Sequence, residues 1–303
     1  MSTDPRVWLL RAARPLGRLF PALMRLGRAV GLRRWAMKAT PAQIVIDGDI
    51  IIELDVSVRG HRYWYYLYDL NKAHELALIR CLVNAETVFI DAGANIGVWT
   101  LAAAKRCARV VAFEPGASSL ARLRRNLALN PDLAAKIMVN PLALGAVNST
   151  GYLRVDDSQP EQATLVDEHT GEAGERVPIV TLDEMLTRAT LPADALVFLK
   201  LDVEGAEMAT LRGGQHLLAE LRPIILSEIF EAHLNRHGAS SSDLYQFLKA
   251  RNYVGYLAQD SETASGFRIE DLDLTALSRT RVNTGLFIPI ERLESARGQM
   301  RIG

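Results

Sequence analysis

The chain has 303 residues, 49% of them hydrophobic, and its 35 basic side chains balance 35 acidic ones, so it can bury a sizeable core and carries no net field that would attract nucleic acid. Two cysteines, Cys81 and Cys107, have no paired spacing, which excludes a disulfide framework and a thiolate metal site and suits a reducing cytoplasm. No run reaches the roughly 18 apolar residues of a membrane span and no long apolar signal core stands at the start, so a cytoplasmic protein is expected.

Residues 1–40 form a basic head. Within residues 1–38 nine Lys and Arg stand against one acid, Asp4, which leaves the rest of the neutral chain acidic. The head mixes Leu, Phe, Trp and Met with arginines at helical spacings, such as Arg11, Arg14 and Arg18, while Pro15 and Pro21 break it into short helices. Two readings stand: helices that cap the body with solvated arginines, or a peripheral contact of residues 1–38 with an anionic membrane surface or a partner. Residues 41–70 read as a β-hairpin appendage, "QIVIDGDIIIELDVSVRGHRYWYYLYDL", with Asp47-Gly48 as its turn signal. The aromatic run Tyr63, Trp64, Tyr65, Tyr66 and Tyr68 is expected on a strand, packing on the core or lining a substrate site.

From about residue 71 to 303 strands and helices alternate, the pattern of a Rossmann-like α/β domain with a mostly parallel sheet between helical layers. The strands are expected at Val88–Asp91, Val110–Glu114, Ile137–Asn140, Leu196–Asp202, Ile224–Ile229, Tyr253–Ala258 and Gly285–Ile290. "SSLARLRRNLAL" puts Leu120, Leu123 and Leu127 on one helical face, and "AEMATLRGGQHLLAEL" reads as another helix. Gly151–Thr181 interrupts the alternation and suggests a short strand pair joined by a loose loop.

Parallel α/β sheets bind ligands beyond the carboxyl ends of their strands, and four predicted ends are polar: Asp91-Ala92-Gly93-Ala94-Asn95-Ile96-Gly97, Glu114-Pro115, Lys200-Leu201-Asp202-Val203-Glu204-Gly205 and Ser227-Glu228. Glu114 follows Gly97 by 17 residues, where a nucleotide site places an acid on the ribose hydroxyls. The dinucleotide fingerprint G-x-G-x-x-G is absent, and Asp91, an anion, stands in its first position, which disfavours a pyrophosphate. An adenosine ligand carrying positive charge gains from the same carboxylate; S-adenosylmethionine, with its sulfonium and ammonium, is that ligand. Cofactor binding is thus expected at Asp91, Gly93, Ala94, Asn95, Gly97, Glu114 and Pro115, with Gly93 allowing the tight turn and Gly97 the close approach of helix to strand. Asp91 alone also reads as a helix N-cap.

Methyl transfer to oxygen needs positioning and a base for the hydroxyl proton. If the strand stays extended, Lys200, Asp202 and Glu204 share one face. Asp202 is the leading base, Glu204 orients the acceptor, Glu228 shares either role and His233 is a further base candidate. The plainer readings make Asp202 only the partner of Lys200, and Glu204 a cap for the helix near Gly205. His233 and His237 are read as a surface pair rather than a metal pair; a divalent ion such as Mg2+ could be held by Asp202, Glu204 and Glu228, but a metal-free site is favoured.

The segments "FIDAGANIGVWTLAAA", "VVAFEP", "RRNLALN", "NPLALG", "VTLDE", "LKLDVEGAEMATLRGG" and "IILSEIF" stand in the order and spacing of the FkbM family of S-adenosylmethionine-dependent methyltransferases, and the chain resembles that family from about Asn71 to Ala258 and again at "NTGLFIP". The resemblance implies a class I methyltransferase fold, a seven-stranded sheet whose last strand, near Leu286–Pro289, is antiparallel. It also implies O-methylation of a hydroxyl on a sugar, glycan or secondary metabolite, so the expected partner is a small-molecule or glycan acceptor. Two other readings compete: a nicotinamide oxidoreductase, which lacks its glycine fingerprint, and a catalytically weak methyltransferase-like scaffold that docks on a membrane or partner through the basic head.

Overall fold

The computed structural model describes residues 41–66, 68–156, 159–166, 174–189, 195–261, 266–275, 277 and 282–300. The basic head expected over residues 1–40 lies outside the described residues. The chain divides into two compact units, Met1–Asn71 with Asp156–Glu161, and Lys72–Val155 with Gln162–Gly303.

In the first unit, β1 (Ala42–Ile46) and β2 (Ile50–Leu54) form an antiparallel hairpin with Ile46 opposite Ile50. Alternation drives it: Ala42, Ile44, Ile46, Ile50, Ile52 and Leu54 are buried while Gln43, Val45, Ile51 and Glu53, which alternate with them along the strands, are not. The aromatic run does not continue the sheet as expected; Arg59–Tyr66 is a helix, α1. Its buried residues His61, Tyr65 and Tyr66 recur at helical spacing, the Arg62 amide donates to Val58 O at 3.0 Å, and the Arg62 guanidinium donates to the carbonyls of Val56 and Ser57. The weak intrinsic preference of aromatic residues yields to that packing.

The second unit runs α2 (His74–Leu82), β3 (Thr87–Ala92), α3 (Val98–Ala104), β4 (Arg109–Phe113), α4 (Ala117–Ala128) and β5 (Ile137–Asn140). A small sheet follows, β6 (Ala143–Leu144), β7 (Ser149–Asp156), β8 (Gln159–Val166) and β9 (Glu175–Val180), ordered β6-β9-β7-β8. The strand pair expected in Gly151–Thr181 is β7 with β9, Gly151 opposite Val177, and two more strands flank it. Then come α5 (Leu182–Ala189), β10 (Leu196–Leu201), α6 (Glu207–Arg212), β11 (Ile224–Ile229), α7 (Glu231–Arg236), α8 (Ser241–Lys249), β12 (Tyr253–Asp260), β13 (Phe267–Asp271), β14 (Asn283–Pro289) and α9 (Leu293–Met300). The single helix expected from "AEMATLRGGQHLLAEL" is divided at Gly213-Gly214, and a π-helical turn at Leu217–Leu221 completes it.

The main sheet is ordered β13-β12-β14-β11-β10-β3-β4-β5. β14 is antiparallel to both β11 and β12, while β11, β10, β3, β4 and β5 are parallel neighbours. Seven strands match the expected set; the eighth, β13, pairs antiparallel at the edge. "FRIED" went unread because only Phe267 of it is buried, leaving no apolar run.

β3 is buried at all six positions, as a central parallel strand covered on both faces must be. Val88 and Ile90 join a core with Val197, Leu199, Ile225, Leu211 and Leu248, whereas Phe89 joins one with Phe198, Leu226, Leu78 and Leu123. Phe89 and Phe198 stack across β3 and β10 with centroids 5.3 Å apart. From β3 the chain goes on to β4 and β5 on one side, and from β10 to β11 on the other, so the strand order reverses between β3 and β10. No helix among the described residues is long and apolar enough to cross a membrane.

Candidate functional site

The site is built where β3 and β10 end side by side. Their register sets Lys200 against Asp91 and Leu201 against Ala92, and the Asp202 amide then donates to Ala92 O at 3.0 Å. Gly93 turns the chain there with φ +84°, and a Cβ on it would lie 1.8 Å from Asp202 O, so only hydrogen fits between the two strand ends.

Four amides of the turn donate within the protein. Gly93 and Ala94 donate to Phe113 O at 3.0 and 2.9 Å, Gly97 donates to Ala94 O at 2.8 Å, and Asn95, in the left-handed region at φ 49°, donates to Glu114 Oε2 at 2.8 Å. Glu114 Oε1 accepts from the Gly116 amide at 2.9 Å, so this one carboxylate ties the turn after β3 to the turn after β4. Burial pushes its pKa up to about 7, against the pull of the two amides and with a further push from Asp91 and Asp202. Gly97 was expected to let helix approach strand; a Cβ on it would instead lie 2.5 Å from Leu123 Cδ1 of α4, so the close approach is between α3 and α4.

A buried anion at an apolar strand end calls for a cation, and Asp91, read from the sequence as meeting a cationic ligand, has one of the protein's own beside it. It is 1% exposed, Oδ2 accepts from the Thr100 hydroxyl at 2.5 Å, and Oδ1 lies 3.9 Å from Lys200 Nζ. Burial raises its pKa; Lys200 and Thr100 oppose the shift. Lys200 Nζ lies closer to Asp202 Oδ2, at 2.9 Å. Burial alone would lower the lysine pKa, but Asp202 and then Asp91 outweigh it and hold the ammonium charged. Asp91 therefore acts from beneath the crevice, through Lys200 and Thr100, rather than as the cap of α3, whose N-cap is Gly97.

The extended backbone expected through Glu204 is not found. β10 stops at Leu201, and Glu204 is left-handed, φ 54°, because the chain turns sharply at Gly205, φ +111°, where a Cβ would lie 2.5 Å from His233 O. The turn swings Glu204 away from Lys200 and Asp202 and toward α7, where its Oε2 lies 2.8 Å from His233 Nδ1. The expected cap is not found, since the N-cap of α6 is Ala206 and no side chain caps it; Glu207 instead ties down the turn before the helix, its Oε1 accepting from the Val203 and Gly205 amides at 3.2 and 3.1 Å. Glu207 was not singled out beforehand, although its place three residues after Glu204 in "VEGAE" is a signal for a side chain folding back on its own turn. Burial pushes its pKa up to about 7.

Glu228, next to the end of β11, comes together with Glu204 and His233: one donor atom from each lies within 4.8 Å of the others. Burial first, then Asp202, Glu204 and Glu207, raise the Glu228 pKa well above the usual carboxylate range. His237 follows α7 and is not part of this group. Of the oxygen set considered for Mg2+, Asp202 is drawn off by Lys200 and His233 stands in its place. Thr100, nine residues after Asp91 on the first turn of α3, is a further contributor that strand ends alone did not reveal.

Sheet order, reversal point and the antiparallel β14 define a class I methyltransferase fold. The model of the Methyltransferase FkbM domain matches residues 91–254, more than half of the chain, and the chain belongs to that family. It is 31% identical over 174 residues to Methyltransferase sdnD of Sordaria araneosa, a match covering 47% of this chain and 66% of that protein, just under two thirds of its length. Among solved structures it is similar to Methyltransferase FkbM of Methylobacillus flagellatus KT, with 18% identity and a TM-score of 0.42 over 66% of this chain and 42% of that one. A Streptococcus mutans protein crystallised in complex with SAH gives 10% identity and a TM-score of 0.40 over 71% of this chain and 94% of that one.

Proposed function

We propose that this protein is an S-adenosylmethionine-dependent O-methyltransferase whose acceptor is a hydroxyl of a sugar, glycan or secondary metabolite. One observation carries the cofactor reading: four amides of the turn after β3 donate inside the protein, and carboxylates lie beside them. Gly93, Ala94, Asn95 and Gly97 donate to Phe113, Glu114 and Ala94, and Glu114 feels the charges of Asp91 and Asp202. A pyrophosphate would find repulsion there and these four amides already engaged, whereas a cationic nucleoside finds complementary charge. Membership of the FkbM methyltransferase family agrees.

When bound, S-adenosylmethionine supplies an electrophilic methyl group on its sulfonium sulfur. Glu114 would hold the ribose hydroxyls with the lone pairs its two amide donors leave over, and Gly93 lets the end of β3 close against the Asp202 backbone. Asp202 is the residue to take the acceptor proton. Lys200 fixes one of its oxygens, and the side chain, 36% exposed, remains reachable from the crevice. Glu204, Glu228 and His233 would face the acceptor.

Calorimetry with S-adenosylmethionine, S-adenosylhomocysteine and NADH tests the cofactor. Heat with the first two and none with NADH is expected; the reverse pattern discards the proposal. A mass-spectrometric screen of glycan and small-molecule pools for a cofactor-dependent methyl gain then tests the acceptor class, and methyl gain confined to protein or nucleic acid would refute it.

A further inference from the structure

Glu204, Glu228 and His233 come from the turn after β10, the end of β11 and α7, and their donor atoms lie within 4.8 Å of one another. The His233 side chain is 6% exposed, and its Nδ1 stands 2.8 Å from Glu204 Oε2. Both atoms are buried, and among the described residues neither has a well-aligned hydrogen bond; their contact is this ion pair with each other. Two lone-pair atoms held this way suit a third atom between them. Metal–ligand bonds of about 2.1 Å at right angles set neighbouring ligand atoms about 3 Å apart and opposite ones about 4.2 Å apart. The 2.8 Å between Glu204 Oε2 and His233 Nδ1 is near the first of these spacings, and Glu228, within 4.8 Å of both, would close in on a bound ion.

Charge leads to the same conclusion. Lys200 is engaged by Asp202 and Asp91; it still attracts Glu228, and Arg236 attracts Glu204, but among the described residues neither cation forms an ion pair with these two carboxylates, and the imidazole is the group that meets them. Burying two neighbouring carboxylates without a cation is costly, and a divalent ion offsets both. An imidazole among carboxylates selects for Mn2+ or Zn2+ over the all-oxygen preference of Mg2+ and Ca2+.

We propose that Glu204, Glu228 and His233 bind a divalent transition-metal cation beside the methyl-transfer crevice. Three protein ligands leave coordination positions open, and an acceptor hydroxyl, or a pair of vicinal hydroxyls, takes them. This assignment of the acceptor rests on the methyltransferase reading; the metal site itself does not.

The full-length protein, stripped with a chelator and dialysed, is titrated with MnCl2 while free Mn2+ is followed by electron paramagnetic resonance. One Mn2+ per chain, displaced by Zn2+, is expected, with nitrogen hyperfine coupling from the imidazole in the pulsed spectrum. Glu228→Gln and, separately, His233→Gln should weaken Mn2+ at least about tenfold, while S-adenosylhomocysteine affinity, measured in parallel, stays within about threefold and shows that the variants are folded. Lack of a saturable site for either ion, absence of nitrogen coupling in the unmodified protein, or a site that survives both substitutions overturns the proposal. A Mn2+ site without S-adenosylhomocysteine binding would instead sink the cofactor reading and leave the metal site standing.

Discussion

Glu114→Gln separates the stability of the crevice from its use. In the folded chain burial raises the Glu114 pKa from 4.5 to about 7. Between these values the folded state keeps a proton that the unfolded chain has lost. Stability therefore falls as pH rises through that window, by a total of about 3 kcal/mol, and stays low above it. Glutamine does not titrate, so the variant should gain on the parent by about that amount between pH 4.5 and pH 8, less about 1–3 kcal/mol at every pH if one of the Asn95 and Gly116 amides loses its acceptor. Ligand affinity runs the other way. A ribose hydroxyl donates better to the ionised carboxylate, so S-adenosylhomocysteine should bind the parent more tightly as pH rises through about 7 and then level off. Loss of charge-assisted bonds worth about 3 kcal/mol in all should weaken the variant on the order of a hundredfold at pH 8 and remove that pH dependence. Urea denaturation and calorimetry across pH 5 to 8 check both halves. Equal affinities for parent and variant at pH 8, or a parent whose affinity is flat across the range, would refute the assignment of Glu114 to the ribose.

Two further substitutions probe the same junction. Gly93→Ala places a Cβ 1.8 Å from Asp202 O at φ +84°; left-handed strain alone costs about 1–3 kcal/mol, so a lower melting temperature and loss of S-adenosylhomocysteine binding are expected, and parental behaviour in both assays would show that the strand ends are not tightly joined. Lys200→Met leaves Asp91 and Asp202 without their shared ammonium and should cost about 3–5 kcal/mol in denaturant titrations at pH 8; a cost under about 1 kcal/mol would mean that the carboxylates find another cation.

Much of this protein is local in origin. The central strands were legible because a parallel strand covered on both faces is a nearly continuous apolar run, as residues 88–90 and 196–199 are, and the polar residues Asp91 and Lys200 near their ends mark the crevice. The Asp47-Gly48 hairpin was legible from turn chemistry and alternation. The aromatic segment after it was not, since Tyr and Trp suit strand and helix alike and the packing of His61, Tyr65 and Tyr66 chose the helix. The edge strand β13 escaped because a polar edge has no apolar signature.

The pairings within the site belong to tertiary structure. Asp91 announced a need for a cation, but that the cation is Lys200 follows from β3 lying beside β10 in the register that opposes them, across more than a hundred residues of chain. Period-two reasoning placed Glu204 with Lys200; the left-handed turn and the contact of Gly205 with His233 O send it to His233 instead. Residue types and strand ends set the chemistry on offer, because burial and local conformational preference act within a few residues. Which carboxylate meets which cation depended on the spatial order of the strands and on the close packing of one turn against a helix, and neither is encoded by neighbours along the chain.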